Sequence, residues 1–198
     1  MIVLTADLSD CSKIAELHRD SIQEGFVSRL GVPFLTLLYQ ALLKFSGGIL
    51  LVAKKDQLLL GFVAGVVNTS AFYKYFLRYH FIGAGSLIIP ALFKQRCLSG
   101  ILESLHYTRK VDQPHLPEAE LISIAVRPEY RGQGIADQLF DALRAYFKNK
   151  GITEFRIVMG AGLSRAQKFY ERKGCDLRDE IEVHRGVHSM VYTCNISK

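Results

Sequence analysis

The sequence of 198 residues predicts one α/β (α+β) domain, a sheet flanked by helices. Three observations carry that prediction. Two apolar runs, Ile49 to Ala53 and Leu58 to Val67, are joined by a short turn and read as a hairpin, and Asp176 to His184 with His188 to Cys194 look like a second, closing hairpin. Ala119 to Val126, Gly134 to Lys150 and Glu154 to Met159 read in order as strand, helix and strand. A hydrophobic fraction of 49% with 22% charged residues suits a full core, built without help from metals or disulfides.

Taken in order, Met1 to Thr5 reads as a short strand. Ser9 to about Gln23 reads as a helix capped by Ser9 or Asp10, with Ile14, Leu17 and Ser21 on one face. Gly25 to Gly31 breaks the pattern, and Pro33 opens a second helix, where its missing N–H costs nothing. Phe34, Leu37, Leu38, Ala41, Leu42 and Phe45 give that helix an apolar stripe, and Gly47-Gly48 ends it. The first hairpin turns over Lys54 to Gln57, and Asn68 to Ser70 closes its second strand. Ala71 to Tyr107 is aromatic, apolar and basic, broken by Gly83, Gly85 and Pro90, and is expected to form two or three short helices inserted into the fold. Its uncharged run from Phe81 to Phe93 is shorter than the roughly 20 residues that a bilayer span needs. Thr108 to Pro117 reads as a loop. The helix from Gly134 turns Ile135, Leu139, Leu143, Tyr146 and Phe147 inward. Ser164 to Lys173 is a further helix, with Ser164 and Gln167 as a capping box and Gly174 as its stop. The second hairpin turns over Arg185-Gly186-Val187.

The net charge of +6 is unevenly placed. Between Thr69 and Lys110 stand Lys74, Arg78, Lys94, Arg96, Arg109 and Lys110, against the one acid Glu103. A basic surface there suits either an anionic partner or a plain solvated face. Cys11, Cys97, Cys175 and Cys194 show no metal-ligand spacing, no metal site is expected, and reduced thiols in a cytoplasmic protein are the expectation. The N-terminus has neither a basic start nor a long apolar stretch, so no signal peptide is expected.

The residues with the strongest chemical signature are Arg131, Gly132, Gln133, Gly134, Ile135 and Ala136. They follow a strand and open a helix. Glycines let backbone N–H groups approach an anion, and the first N–H groups of a helix point at it without internal partners. Such a loop is a seat for a pyrophosphate. It is neither a Walker loop nor a dinucleotide fingerprint. A lone Gly-x-Gly is weak evidence, so the neighbours matter. The stretch resembles the GNAT superfamily of acyl-CoA N-acyltransferases. Arg131, Gly134 and Ala136 fill its [Q/R]-x-x-G-x-[G/A] motif. Ile124-Ala125-Val126-Arg127-Pro128-Glu129-Tyr130 is similar to its approach, and Ala166 to Gly174 is similar to its second block. The likeness is strong from about Glu120 to Cys175 and does not cover 71–107.

The resemblance implies one GNAT domain over 1–198: a mixed, mostly antiparallel sheet with a splayed central strand pair, interrupted by the insertion. It implies acetyl-CoA as co-substrate, with Ile124, Ala125 and Val126 alongside the pantetheine arm and Arg131 to Ala136 on the pyrophosphate. It makes Tyr170 the acid that protonates the departing thiolate. Leu163 stands where relatives often carry a cofactor-binding asparagine, a contact that Ser164 could replace. Glu120 is the first candidate for the general base, on the same strand face as Ile122, Ile124 and Val126 if alternation holds. Glu118 and His115 are reserves, and His184 and His188 could line the acceptor pocket. The expected reaction is direct acetyl transfer to a primary amine of a small molecule, with an anionic or nucleotide-sugar acceptor favoured by the basic insertion. A silent acyl-CoA sensor is the alternative. No nucleic-acid motif is present, so no nucleic-acid partner is expected, while peripheral membrane contact and a homodimer stay open.

Overall fold

The computed structural model describes residues 1–22, 26–80, 116–184 and 187–196. Seven strands form one sheet in the order β1-β2-β3-β4-β5-β7-β6. They are β1 (Ile2–Thr5), β2 (Gly48–Lys55), β3 (Leu58–Val66), β4 (Glu120–Val126), β5 (Glu154–Gly160), β6 (Cys175–His184) and β7 (Val187–Asn195). Every neighbouring pair is antiparallel except β4 with β5. The helices are α1 (Cys11–Ser21), α2 (Phe26–Arg29), α3 (Gly31–Lys44), α4 (residues 69–80), α5 (Ile135–Asn149) and α6 (Ser164–Arg172). This is the mixed, mostly antiparallel sheet with flanking helices that the sequence predicts.

Two apolar layers hold it. On one face α1, α3 and α4 pack Ile14, Leu35, Leu38, Leu42 and Phe72 against Leu50, Val52 and Phe62 of β2 and β3. On the other, α5 packs Leu139, Phe140, Leu143 and Phe147 against Val63, Leu121, Phe155 and Ile157. Gly65 lets α5 come this close, since a Cβ there would stand 2.7 Å from Leu143 Cδ1 and 3.0 Å from Phe147 Cζ.

The local chemistry differs from the sequence reading at several places. A 3-10 turn, Leu8–Asp10, precedes α1, and its cap is Asp7, which accepts from the N–H groups of Ser9 and Asp10. Asp10 stands at the N-cap of α1 as expected, but its side chain makes no cap bond there. The expected break before Pro33 contains the one-turn helix α2, and α3 starts at Gly31. The first hairpin turns tightly over Asp56 and Gln57, both at positive φ (49° and 65°), the geometry that matches strand twist. Leu163, with no side-chain cap bond, precedes α6, and Gln167 donates instead to Ala161 O at 3.0 Å. The Ser164–Gln167 capping box is therefore absent. Of the expected 71–107 insertion, residues up to 80 are helical. Its remainder and His115 lie outside the described residues.

The expectation of reduced thiols is corrected at two positions. Cys175 and Cys194 are register partners on β6 and β7, with Cα atoms 4.2 Å apart, and their sulfurs are bonded. Adjacent antiparallel strands bring the two side chains within disulfide reach. Cys11 is free and buried.

Candidate active site

Strand β4 pairs with β5 only at its start, through Glu120 with Arg156 and Leu121 with Ile157. From Ile122 to Val126 the edge facing β5 makes no ladder, so the two strands splay into a V. Backbone N–H and C=O groups along that edge are free to pair with an extended ligand. Ile124, Ala125 and Val126 all lie on this open stretch.

The splay has a second device. On the β3 side, Ala64 pairs with Ser123 but Gly65 pairs with Leu121, which leaves Ile122 as the extra residue of a bulge. A bulge breaks alternation. Leu121, Ile124 and Val126 pack with the α5 layer, whereas Ile122 and Ala125 pack with the α1/α3 layer. Glu120 is held from the α4 side. The expectation that Glu120, Ile122, Ile124 and Val126 share a face is thereby corrected.

Just beyond the open stretch, Arg127 to Tyr130 turn and Arg131 Nε donates to Val126 O at 3.1 Å, folding the loop back on the strand end. Gly132 and Gly134 sit at φ 77° and 74°, a left-handed backbone that side chains rarely adopt. A Cβ at either glycine would meet nothing within 4 Å, so the loop borders open space. Gly134 caps α5 without any side-chain bond, and the first intrahelical bond is Gln138 N to Gly134 O. The N–H groups of Ile135, Ala136 and Asp137 therefore have no intrahelical acceptor, and they point toward the loop at the positive end of the helix dipole. Asp137 would oppose an anion there. Its carboxylate is instead paired with Arg172 at 3.1 Å and Lys173 at 3.2 Å, and they hold it below the usual carboxylate range against the opposing effect of burial. The residues present thus fit a pyrophosphate.

Tyr170, on α6, is 5% exposed and packed by Phe140, Phe169 and Tyr192. Burial pushes its phenol up from the ordinary value, so it is protonated at neutral pH. Glu120 is also 5% exposed. Its Oε2 accepts from Arg156 Nε at 2.9 Å and from Thr69 Oγ1 at 3.0 Å. Glu118 accepts from Asn68 Nδ2 at 2.6 Å, and His188 lies 3.2 Å from Glu180 on the exposed second hairpin.

The sequence reading missed His18, Tyr39, Ser28 and Ser123, which form a buried polar line beneath β4. One signal was present: His18 falls four residues after Ile14, on the buried stripe of α1.

The Acetyltransferase (GNAT) family matches residues 14–175. This chain is a member of that family. An N-acetyltransferase from Staphylococcus aureus Mu50 superposes with a TM-score of 0.64 at 14% identity, covering 98% of each chain. The PaiA N-acetyltransferase of Thermoplasma acidophilum, solved with coenzyme A, superposes with a TM-score of 0.62 at 15% identity, again over 98% of each. A stretch of 76 residues is 26% identical to the mycothiol acetyltransferase of Propionibacterium freudenreichii, spanning 38% of this chain and 24% of that protein. This chain is thus an acetyltransferase of the GNAT family, with the expected fold. Among its described residues no helix is long and apolar enough to cross a membrane.

Proposed function

We propose that this GNAT enzyme moves acetyl from acetyl-CoA directly to a primary amine of a small, anionic acceptor, a nucleotide-linked amino sugar fitting best. The cradle at Gly132 and Gly134 carries the donor half of this reading: its N–H groups, helix dipole and open space suit the pyrophosphate. Ile124, Ala125 and Val126 lie on the free edge of β4, where pantetheine amides would find partners. Arg131 and Gln133 flank the phosphates, and Ile135 and Ala136 supply helix-start N–H groups. The basic residues between Thr69 and Lys110 support the anionic acceptor.

An ammonium acceptor carries three protons on nitrogen, and the amide product carries one. Two protons therefore leave nitrogen for each C–N bond formed. The C–S bond breaks, and the thiolate takes one proton from Tyr170, whose phenol is then refilled from solvent. Glu120, held by Arg156 and Thr69 with Oε1 remaining, takes one proton from nitrogen through a water. The other is released. Positioning supplies the rest of the acceleration, because the thioester is already activated.

The test is thiol release from acetyl-CoA with an alanine-terminal peptide, spermidine, glucosamine 6-phosphate and a UDP-linked amino sugar. Fastest release with the UDP-linked sugar is expected. Fastest release with spermidine sinks the anionic acceptor, and cofactor binding without release on any amine favours the sensor. Tyr170→Phe is expected to lower kcat about 100-fold with little change in acetyl-CoA affinity; equal turnover removes its acid role.

A further inference from the structure

The donor site described above accounts for the pyrophosphate alone. Coenzyme A also carries a 3′-phosphate on its ribose, a monoester with about two negative charges at pH 7. Two cations stand beside the cradle and have no part in the chemistry so far. Arg172 ends α6, Lys173 follows it, and both reach across to α5. Arg172 Nη1 lies 3.1 Å from Asp137 Oδ1, and Arg172 Nη2 donates to Asp137 Oδ2 at 3.4 Å. Lys173 Nζ lies 3.2 Å from Asp137 Oδ1 and donates to both oxygens of Asp141, at 2.9 and 3.0 Å.

The two cations are held differently. The Lys173 side chain is 13% exposed, over the Phe140 ring and between two carboxylates that take up its charge. The Arg172 side chain is 62% exposed, over the Phe169 ring. Asp137 engages two of the five guanidinium N–H bonds, and the other three remain. Side chains on a helix lean toward its N-terminus, and Asp137 is the third residue of α5. Its carboxylate, and Arg172 with it, therefore stands within about one helical turn of the Gly134 loop. Arg165 and Lys168, seven and four residues before Arg172, are exposed on the same face of α6, where they extend a positive potential toward an arriving anion. A clip between α5 and α6 needs Lys173 alone, which already bridges Asp137 and Asp141. An exposed pair such as Arg172 with Asp137 adds little stability. What Arg172 adds is a planar fork that matches phosphate oxygens.

We propose that Arg172 is a second phosphate-binding point of the donor site and takes the 3′-phosphate of coenzyme A, while Lys173 neutralises Asp137 behind it. The proposal rests on the donor half of the acyl-transfer reading. Only the ribose separates the 3′-phosphate from the pyrophosphate, so a donor seated on Gly132 to Ala136 carries it to the first turn of α5. The remaining N–H groups of Arg172 meet it there without releasing Asp137. The site thereby selects coenzyme A over pantetheine donors that lack the 3′-phosphate.

The test is calorimetry of coenzyme A and of 3′-dephospho-coenzyme A, which needs no turnover and no acceptor. The wild type is expected to bind coenzyme A about tenfold or more tighter than the dephospho form. In Arg172→Gln the two are expected to bind alike, both at the wild-type affinity for the dephospho form. Arg172→Lys keeps the charge without the fork and is expected to recover part of the preference. Equal affinities in the wild type overturn the site. So does an Arg172→Gln variant that loses the same factor for both ligands, because a disturbed helix contact weakens the whole donor site without regard to the 3′-phosphate. A wild type that binds neither ligand sinks the pyrophosphate assignment and this site together, whereas one that binds both alike sinks this site alone.

Discussion

The two faces of the sheet are built on opposite rules. The α5 face is aliphatic and aromatic: Leu139, Leu143, Phe147, Phe155 and Ile157 interlock over Gly61 and Gly65, and tyrosine hydroxyls are the polar groups it adds. The α1/α3/α4 face buries Glu120, Arg156, Thr69, Ser123, His18 and Ser28 among its hydrocarbons. Burying polar groups costs stability unless each finds a partner. Here each does, through the Glu120–Arg156–Thr69 cluster or the His18–Tyr39–Ser123 line. The difference assigns the labour. The dry face fixes α5 against the sheet, directly behind the Gly132–Gly134 loop. The polar face keeps proton-bearing groups next to the open half of β4.

The largest effect should come from orphaning a charge on the polar face. Arg156→Leu leaves Glu120 buried without its cation and is expected to cost about 3–5 kcal/mol in denaturant unfolding. Replacing both, Glu120→Leu with Arg156→Leu, is expected to recover most of that stability while abolishing turnover. A single variant as stable as the parent breaks the contrast between faces. Leu143→Ala removes a fully buried side chain from the dry face and is expected to cost about 2–4 kcal/mol. The smallest effect tests the junction of α5 with the loop. Gly134→Asp adds a negative charge and a strained backbone to the cradle, and coenzyme A affinity, measured by calorimetry, is expected to fall about tenfold or more, or ~1.4 kcal/mol. Unchanged affinity removes the pyrophosphate assignment.

Much of the fold was legible locally. Apolar periodicity marked α1, α3, α5 and the strands, and the glycines before Ile135 marked both the start of α5 and the cradle. What was not legible depends on pairings between distant segments. The bulge at Ile122 is invisible in Leu121-Ile122-Ser123-Ile124, because only the register against Ala64 and Gly65 decides it. Ser123 reaches Tyr39 because that bulge turns it toward α3. Gln167 looked like half of a cap, yet its amide reaches Ala161 and Met190, a contact set by tertiary packing. The ion pair of Glu120 needed the single parallel pairing of β4 and β5, which places Arg156 opposite it.

The bond between Cys175 and Cys194 changes the connectivity of the chain as well as its contacts. With a sequence separation of 19, it closes the second hairpin into a covalent ring. One cut of the main chain anywhere between these cysteines would leave a single molecule, separable into two fragments only after reduction. Gly174 joins Cys175 to the end of α6, so the helix that carries Tyr170 stays tethered to the end of β7 even when the peptide backbone of the hairpin is severed.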